Sequence, residues 1–145
     1  MNGCKLAARY APLAGRLLLA LLFFQSGWHK MADFTGNARV MTAKGIPLPE
    51  VLLAVTVILV VGGGLMILFG WYARWAAAAL FAWMIPVTLL YHDFWMAEPA
   101  QVFNQTTHFM KNLAIMGALL QLVGMGPGPL SLRAEPCAGG KGAAA

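Results

Sequence analysis

Four apolar segments separated by polar connections dominate the pattern of the chain. The most uniform covers residues 51–70, where twenty residues carry no charge and Thr56 is the only polar side chain. A helix of about twenty apolar residues spans the hydrocarbon core of a bilayer. Residues 12–31, 75–91 and 107–125 are shorter or more interrupted segments of the same kind. The pattern therefore predicts an all-α protein built as a bundle of four transmembrane helices.

Prolines and glycines mark the limits of these segments. Residues 45–49 contain two prolines and a glycine, which indicates a turn, whereas residues 34–43 show only a weak helical pattern. The glycines at 62–64 lie inside the second segment and favour close approach of a neighbouring helix. We expect residues 1–11 to form a short N-terminal tail and residues 126–145 a disordered tail, because the latter are rich in glycine, proline and alanine.

The first apolar segment has two interpretations. Its basic start and short apolar core resemble a cleaved signal peptide, but the residues at 25–28 form a poor cleavage site and include the bulky Trp28. We therefore favour an uncleaved membrane helix. Its uncharged part is short, so we expect Arg16 and Lys30 to extend their charged ends towards the two interfaces.

Composition supports a membrane protein. The chain is 60% hydrophobic and 10% charged, with a mean hydropathy of +0.70, whereas soluble domains carry about 25% charged residues. The net charge of +5 comes from scattered basic residues, so nucleic-acid binding is not indicated. Cys4 and Cys137 lie in the two tails without metal-ligand spacing.

The distribution of basic residues predicts the orientation. Four spans place both tails and the connection at 71–74 on one side, which carries six Lys and Arg residues: Lys5, Arg9, Arg16, Arg74, Arg133 and Lys141. The other side carries four, which are Lys30, Arg39, Lys44 and Lys111. Because basic residues are enriched on the cytoplasmic side, both termini are predicted to be cytoplasmic.

Polar side chains gather at the predicted outer ends of the segments, and all three histidines are among them. The candidate site consists of His29, Lys30, His92, Asp93, Trp95, His108, Lys111 and Asn112. An ionisable residue costs roughly 2.5–3.5 kcal/mol at the centre of a membrane helix, so such residues usually face a partner or a cavity. We expect Asp93 to pair with Lys111 or Lys30, and no catalytic residue can be assigned.

Three interpretations of this cluster remain open. It can be a polar plug that determines helix register, a pocket for a small polar head group such as a quinone ring, or a metal site. Histidines can transfer protons near neutral pH, as quinone chemistry requires. A metal is not predicted, because no histidine pair has chelating spacing within one helix and the neighbouring lysines repel a cation.

The motifs of the cluster carry a family resemblance. Residues 26–30 (SGWHK), 62–64 (GGG), 91–95 (YHDFW) and 108–112 (HFMKN) resemble, in this order, the DoxX family, and especially its YphA-like branch in bacterial inner membranes. The resemblance implies a four-helix, multi-pass protein of the inner (plasma) membrane. It also implies an association with redox chemistry, since some relatives are small membrane subunits of a thiosulfate:quinone oxidoreductase. The predicted spans contain no cysteine, which argues against direct thiol chemistry.

The leading hypothesis is a membrane subunit or partner of a quinone-linked oxidoreductase, with its polar site on the periplasmic side. Quinone is then the expected ligand, and the expected partners are the lipid bilayer and a soluble oxidoreductase subunit. The alternative is a non-enzymatic membrane scaffold or a small-solute permease. The Gly and Ala faces of the helices also allow a homo-oligomer.

Overall fold

Five α-helices account for most of residues 3–133 and 135, the part of the chain that this computed structural model describes. They are α1 (Gly3–Ala32), α2 (Phe34–Ala43), α3 (Pro49–Phe69), α4 (Ala73–Tyr91) and α5 (Pro99–Met125), and these residues contain no strand. By length and composition, α1, α3 and α4 can each cross a membrane. The all-helical prediction is therefore confirmed.

The two outer helices are longer than the apolar pattern predicts. α1 begins at Gly3 rather than near Pro12, which lies inside the helix. α5 begins at Pro99 rather than at Thr107, and its first two turns are largely surface-exposed and mix polar residues with Val102 and Phe103. α5 is not among the three helices that are apolar enough to span a membrane by composition, because His108, Lys111, Asn112 and Gln121 interrupt it.

The four long helices pack in antiparallel pairs: α1 with α3, α3 with α4, and α4 with α5. Small residues allow this approach. Gly63 and Gly64 are buried, and a methyl group added at either would lie about 3 Å from Leu80 or Phe24. The core between the helices is apolar and includes Phe23, Val60, Ile67, Leu80 and Leu119.

The antiparallel packing gives the bundle two chemically different ends. The C-terminal ends of α1 and α4 and the N-terminal ends of α3 and α5 form one end, which contains α2 and all three histidines; we call it the histidine end. The opposite end contains Arg16, Arg74 and the segment after α5; we call it the arginine end. The short helix α2 is capped by Asp33, whose carboxylate accepts a 3.0 Å hydrogen bond from Gly36 N.

The segment after α5 folds back onto the arginine end. Leu132 N donates to Phe69 O (2.9 Å), Arg133 N donates to Gly70 O (3.2 Å), and Arg16 donates to Leu130 O. The prediction of a disordered tail from residue 126 is therefore wrong for residues 126–133. The remainder of that tail, residue 134 and residues 136–145, lies outside the described residues.

Arg16 also departs from the expectation that it reaches the interface. Its side chain is only 2% exposed. Residues 128–131 lie against this part of α1: Leu130 O accepts from the guanidinium, and Gly128 packs on Pro12. The backbone at Gly128 has a φ of +83°, a conformation that glycine adopts without strain. This chain reversal encloses the arginine.

Candidate functional site

The candidate site is built where α4 ends and α5 runs back beside it. α4 ends at His92, whose backbone N–H donates to Thr88 O (3.1 Å). The rings of His92 and His108 stack with their centroids 5.2 Å apart and their planes at 16°. We call these two residues the histidine pair. The sequence places them sixteen positions apart, and the reversal between the two helices brings them into contact.

Hydrogen bonds assign different proton positions to the two rings. His92 Nδ1 lies 3.0 Å from Gln105 Oε1, an acceptor, so His92 carries a proton on Nδ1. Lys111 Nζ lies 3.0 Å from His108 Nδ1. Because an ammonium group can only donate, His108 accepts at Nδ1 and holds its own proton on Nε2. The lysine therefore favours neutral His108.

A partly buried hydrogen bond joins α4 and α5 one turn deeper. Asn112 Nδ2 donates to Thr88 Oγ1 at 3.1 Å, and Thr88 is only 2% exposed. Below this pair the contacts between the helices are apolar, and they include Met84 and Met116. Asn112 therefore marks the inner limit of the polar site on α5.

Replacing Asn112 with Leu is expected to destabilise the protein by about 1–2 kcal/mol, because the buried Thr88 hydroxyl loses its partner. The measurement is the free energy of unfolding in detergent. The double variant Thr88→Val with Asn112→Leu should recover most of the loss, since it removes both polar partners. A double variant no more stable than Asn112→Leu alone would contradict this account.

Aromatic side chains adjacent in sequence to the histidine pair form a cluster of their own. Phe94, Trp95 and Phe109 contact each other edge to face, with ring centroids 5.1–6.0 Å apart. Trp95 is 53% exposed. Such edge-to-face contacts are favourable for aromatic rings, and an indole at the bundle end suits the boundary between lipid and water. These rings hold the loop between α4 and α5 against α5.

A cleft of about 450 Å³ opens beside His92, between α2, α3 and α4 and the end of α1. We call it the Lys30–His92 cleft after two of its polar residues. Tyr91 also lines it, and so do apolar side chains such as Met41 and Leu53. At its inner wall Trp83 Nε1 donates to Thr56 Oγ1 (3.3 Å). The cleft is thus mainly apolar with a few polar groups, the usual character of a small-molecule site.

The structure brings some of the predicted site residues together and separates others. His92, His108 and Lys111 form one contact network, which Asn112 joins through Thr88, and Lys30 lines the cleft beside it. His29 is at the same end but is exposed and does not line the cleft.

The expected ion pair of Asp93 is not formed within the described residues. Lys111 contacts His108 instead, and Lys30 Nζ donates to Ser26 Oγ at 2.8 Å, one turn back on its own helix. No group of three His, Cys, Asp or Glu side chains within residues 3–133 and 135 could hold a metal ion.

Sequence reasoning missed several participants. Gln105 binds His92, Thr88 binds Asn112, and Trp83 and Tyr91 line the cleft. The spacing of two of these residues indicated that they belong to the site. Gln105 lies three positions before His108 and Thr88 lies four positions before His92, so each shares a helical face with a histidine. Neutral polar residues are a weaker indication of a site, because they are less costly than ionisable residues in a membrane helix.

Comparison with known proteins agrees with this architecture. The family model described as DoxX matches residues 11–93. The chain is 35% identical to "Inner membrane protein YqjF" of Escherichia coli over 120 residues, which are 83% of this chain and 87% of that protein. It is 29% identical to "Inner membrane protein YphA" of the same organism, over 83% of this chain and 86% of that protein. No solved structure matches the chain significantly.

These matches cover α1 to α4, including Lys30 and His92, and the two relatives extend the similarity over most of the chain. Together with three helices apolar enough to cross a bilayer, they place the protein in the inner (plasma) membrane. The chain is a multi-pass inner-membrane protein that belongs to the DoxX family.

Proposed function

We propose that this protein binds the head group of a quinone in the Lys30–His92 cleft and serves as the membrane subunit or partner of a quinone-linked oxidoreductase. The single observation that carries the proposal is His92 itself. It lines the cleft and at the same time stacks on His108, which contacts Lys111. A ligand in the cleft therefore meets a histidine connected to further polar groups at the bundle end.

The chemistry of the cleft suits a quinone ring. Its apolar walls and Tyr91 would contact the ring face, and Lys30 is a hydrogen-bond donor available to a carbonyl oxygen. His92, whose Nδ1 proton is directed to Gln105, donates through Nε2 when its imidazole is protonated. Reduction of a quinone to a quinol takes up two electrons and two protons. The electrons come from the partner oxidoreductase, and His92 delivers protons from the histidine end.

The proposal includes four membrane spans with cytoplasmic termini, so the cleft faces the periplasm. Contacts along α5 support the fourth span. Asn112 meets Thr88 near the histidine end, and Val123 meets Arg74 at the other end of α4. α5 thus accompanies α4 over its full length and would cross the bilayer with it. The excess of basic residues at the arginine end supports its cytoplasmic position.

The two alternative functions, a small-solute permease and a non-enzymatic scaffold, require different structural features. A permease needs a polar path between the two ends, but Val60, Ile67, Leu80 and Leu119 are fully buried apolar residues at the centre of the bundle. A scaffold needs a surface for a partner. Exposed Met96 and Phe103 near the histidine end offer such a surface, and it also suits the partner role proposed here.

Binding of a short-chain ubiquinone analogue should weaken about tenfold in His92→Ala, because the ligand loses a hydrogen-bond partner in the cleft. The purified full-length protein in nanodiscs is titrated with the analogue, and quenching of tryptophan fluorescence reports binding near Trp83. His108→Ala should weaken binding less, since His108 acts through His92.

His29→Ala is the matched control, because this histidine lies at the same end but outside the cleft. It should bind the analogue like the unaltered protein. Trp83→Phe should lose most of the quenching signal while it retains binding measured by equilibrium dialysis. Equal affinity of the His92→Ala, His29→Ala and unaltered proteins for the quinone analogue would contradict the proposal.

A further inference from the structure

The Lys30–His92 cleft has a polar end and an apolar body. Along α4 its lining runs from His92 back to Trp83, a distance of about 14 Å at a rise of about 1.5 Å per residue. Its polar residues at the histidine end are Lys30, Asn37, Tyr91 and His92. Between that end and Trp83, the lining from α3 and α4 is mostly apolar and includes Leu52, Leu53, Val55, Pro86, Val87 and Leu90. This division suits a ligand with a polar head and a hydrocarbon part.

The apolar body of the cleft opens sideways, on the outer face of α3 and α4. Val55 is 53% exposed, Leu90 48% and Leu52 40%, although all three line the cleft. They belong to two of the helices that are long and apolar enough to cross a membrane. In an inner-membrane protein, exposed apolar side chains on such helices face lipid. The cleft therefore has an opening into the hydrocarbon of the bilayer.

The helix α2 forms the wall of the cleft at the histidine end. Met41 is buried against Leu53 of α3, and Tyr91 of α4 packs against the same group of residues. Lys44 Nζ lies 5.4 Å from the centroid of the Tyr91 ring, a distance typical of a cation–π contact. These contacts hold α2 against both helices beside the polar end. Lipid rather than water is therefore the direct source of a ligand for this cleft.

We propose that the ligand of the cleft is a membrane-resident quinone with an isoprenoid tail, and that the tail leaves the cleft between Val55 and Leu90. This inference rests on the quinone site proposed above and specifies its substrate class and its route of access. A cleft of about 450 Å³ has the size of a site for one small molecule. It accommodates a head group but not a long tail, so the tail has to continue outside it.

The opening acts through shape more than through added affinity. Lipid chains are as apolar as leucine side chains, so an isoprenoid tail gains little energy when it moves from lipid onto Val55 and Leu90. The opening instead allows the tail to remain in the bilayer while the head group reaches Lys30 and His92. A residue that fills the opening should exclude a quinone with a tail and still admit the bare ring.

The test compares the ubiquinone ring without a tail and the same ring with a two-unit isoprenoid tail. Both ligands are tritium-labelled, and binding to the full-length protein in nanodiscs is measured by scintillation proximity. Each ligand is compared only between protein variants, so its partition into the lipid cancels. The readout does not depend on fluorescence, because the variants introduce tryptophan.

Val55→Trp and Leu90→Trp fill the opening from its two sides. Each should weaken binding of the tailed quinone at least about tenfold, in the range expected when a close contact is overpacked, and should change binding of the bare ring by no more than about twofold. Both positions are exposed, so the fold should tolerate the larger side chain. Leu65→Trp is the matched control, because Leu65 is 43% exposed on α3 but does not line the cleft.

Selective loss of the tailed quinone in Val55→Trp and Leu90→Trp, with both ligands bound normally by Leu65→Trp, supports the proposal. Unchanged binding of the tailed quinone in the first two variants overturns it, and so does equal weakening of the two ligands. Either of these results leaves the quinone site itself in place. Failure of the unaltered protein to bind either ligand overturns the proposed function and this inference together.

Discussion

Gly27→Leu is expected to destabilise the protein by about 3 kcal/mol or more, because it forces α1 away from α3. A methyl group at Gly27 would lie 2.5 Å from Val61 Cγ2 and 3.4 Å from Val60 Cγ2. Valine has a stiff χ1 angle and cannot turn aside as a long side chain can. Overpacking of a close contact commonly costs 1–3 kcal/mol, and here two branched neighbours oppose the new side chain.

The measurement is the free energy of unfolding in detergent, followed by loss of helical signal. The variant should also bind the quinone analogue poorly, because Lys30 lies one turn beyond Gly27 and moves with α1. Gly62→Leu is the matched control: a side chain at Gly62 meets nothing within 4 Å. Similar stabilities for the two leucine variants would show that the α1–α3 contact tolerates displacement.

Arg74→Ala should cost about 3 kcal/mol through loss of the link between α4 and the end of α5. Arg74 Nη1 donates to Val123 O (2.6 Å) and Gly124 O (3.0 Å), and Nε donates to Glu135 O (3.1 Å). Hydrogen bonds to charged groups contribute about 1.5–3 kcal/mol each and are not additive. A cation at this position also complements the negative end of the α5 dipole.

Arg74→Lys retains the charge but not the planar set of donors, so it should recover only part of the loss. Arg39→Ala is the control, since Arg39 is an exposed arginine at the other end of the bundle. Hydrogen exchange should show faster exchange at the C-terminal end of α5 in Arg74→Ala and no change there in Arg39→Ala. Unchanged exchange in both variants would remove the proposed link.

Much of the fold follows from patterns that are local in sequence. The apolar stretch at residues 51–70 predicts a helix because its length alone matches the bilayer, and α3 (Pro49–Phe69) covers it. The weak pattern at 34–43 corresponds to α2 (Phe34–Ala43), which needs its Asp33 cap as well as its apolar residues. The first two turns of α5 contain only Val102 and Phe103 as large apolar residues, which is too few to mark a membrane span, so α5 begins before the predicted start.

The candidate site was less predictable, because its contacts depend on the rotation of each helix. The motifs predict that His92 and His108 lie at the same end of the bundle, but they do not predict that the two rings stack. Asp93 was expected to attract a lysine on grounds of charge. In the structure Lys111 contacts His108, three positions before it on the same helix, and Lys30 contacts Ser26, four positions before it. Side chains one helical turn apart can reach each other at little entropic cost.

The sequence by itself determined that this is a helical membrane protein of the DoxX family with its histidines at one end. Hydrophobic length, turn residues and short motifs are properties of the chain read in one dimension. Only the tertiary structure decided that His92 lines a cleft and that Arg16 is enclosed beneath Leu130, with two nitrogens that meet no acceptor among the described residues. Both outcomes depend on how closely distant helices approach, and glycines such as Gly27 and Gly63 set that distance by the side chains they lack.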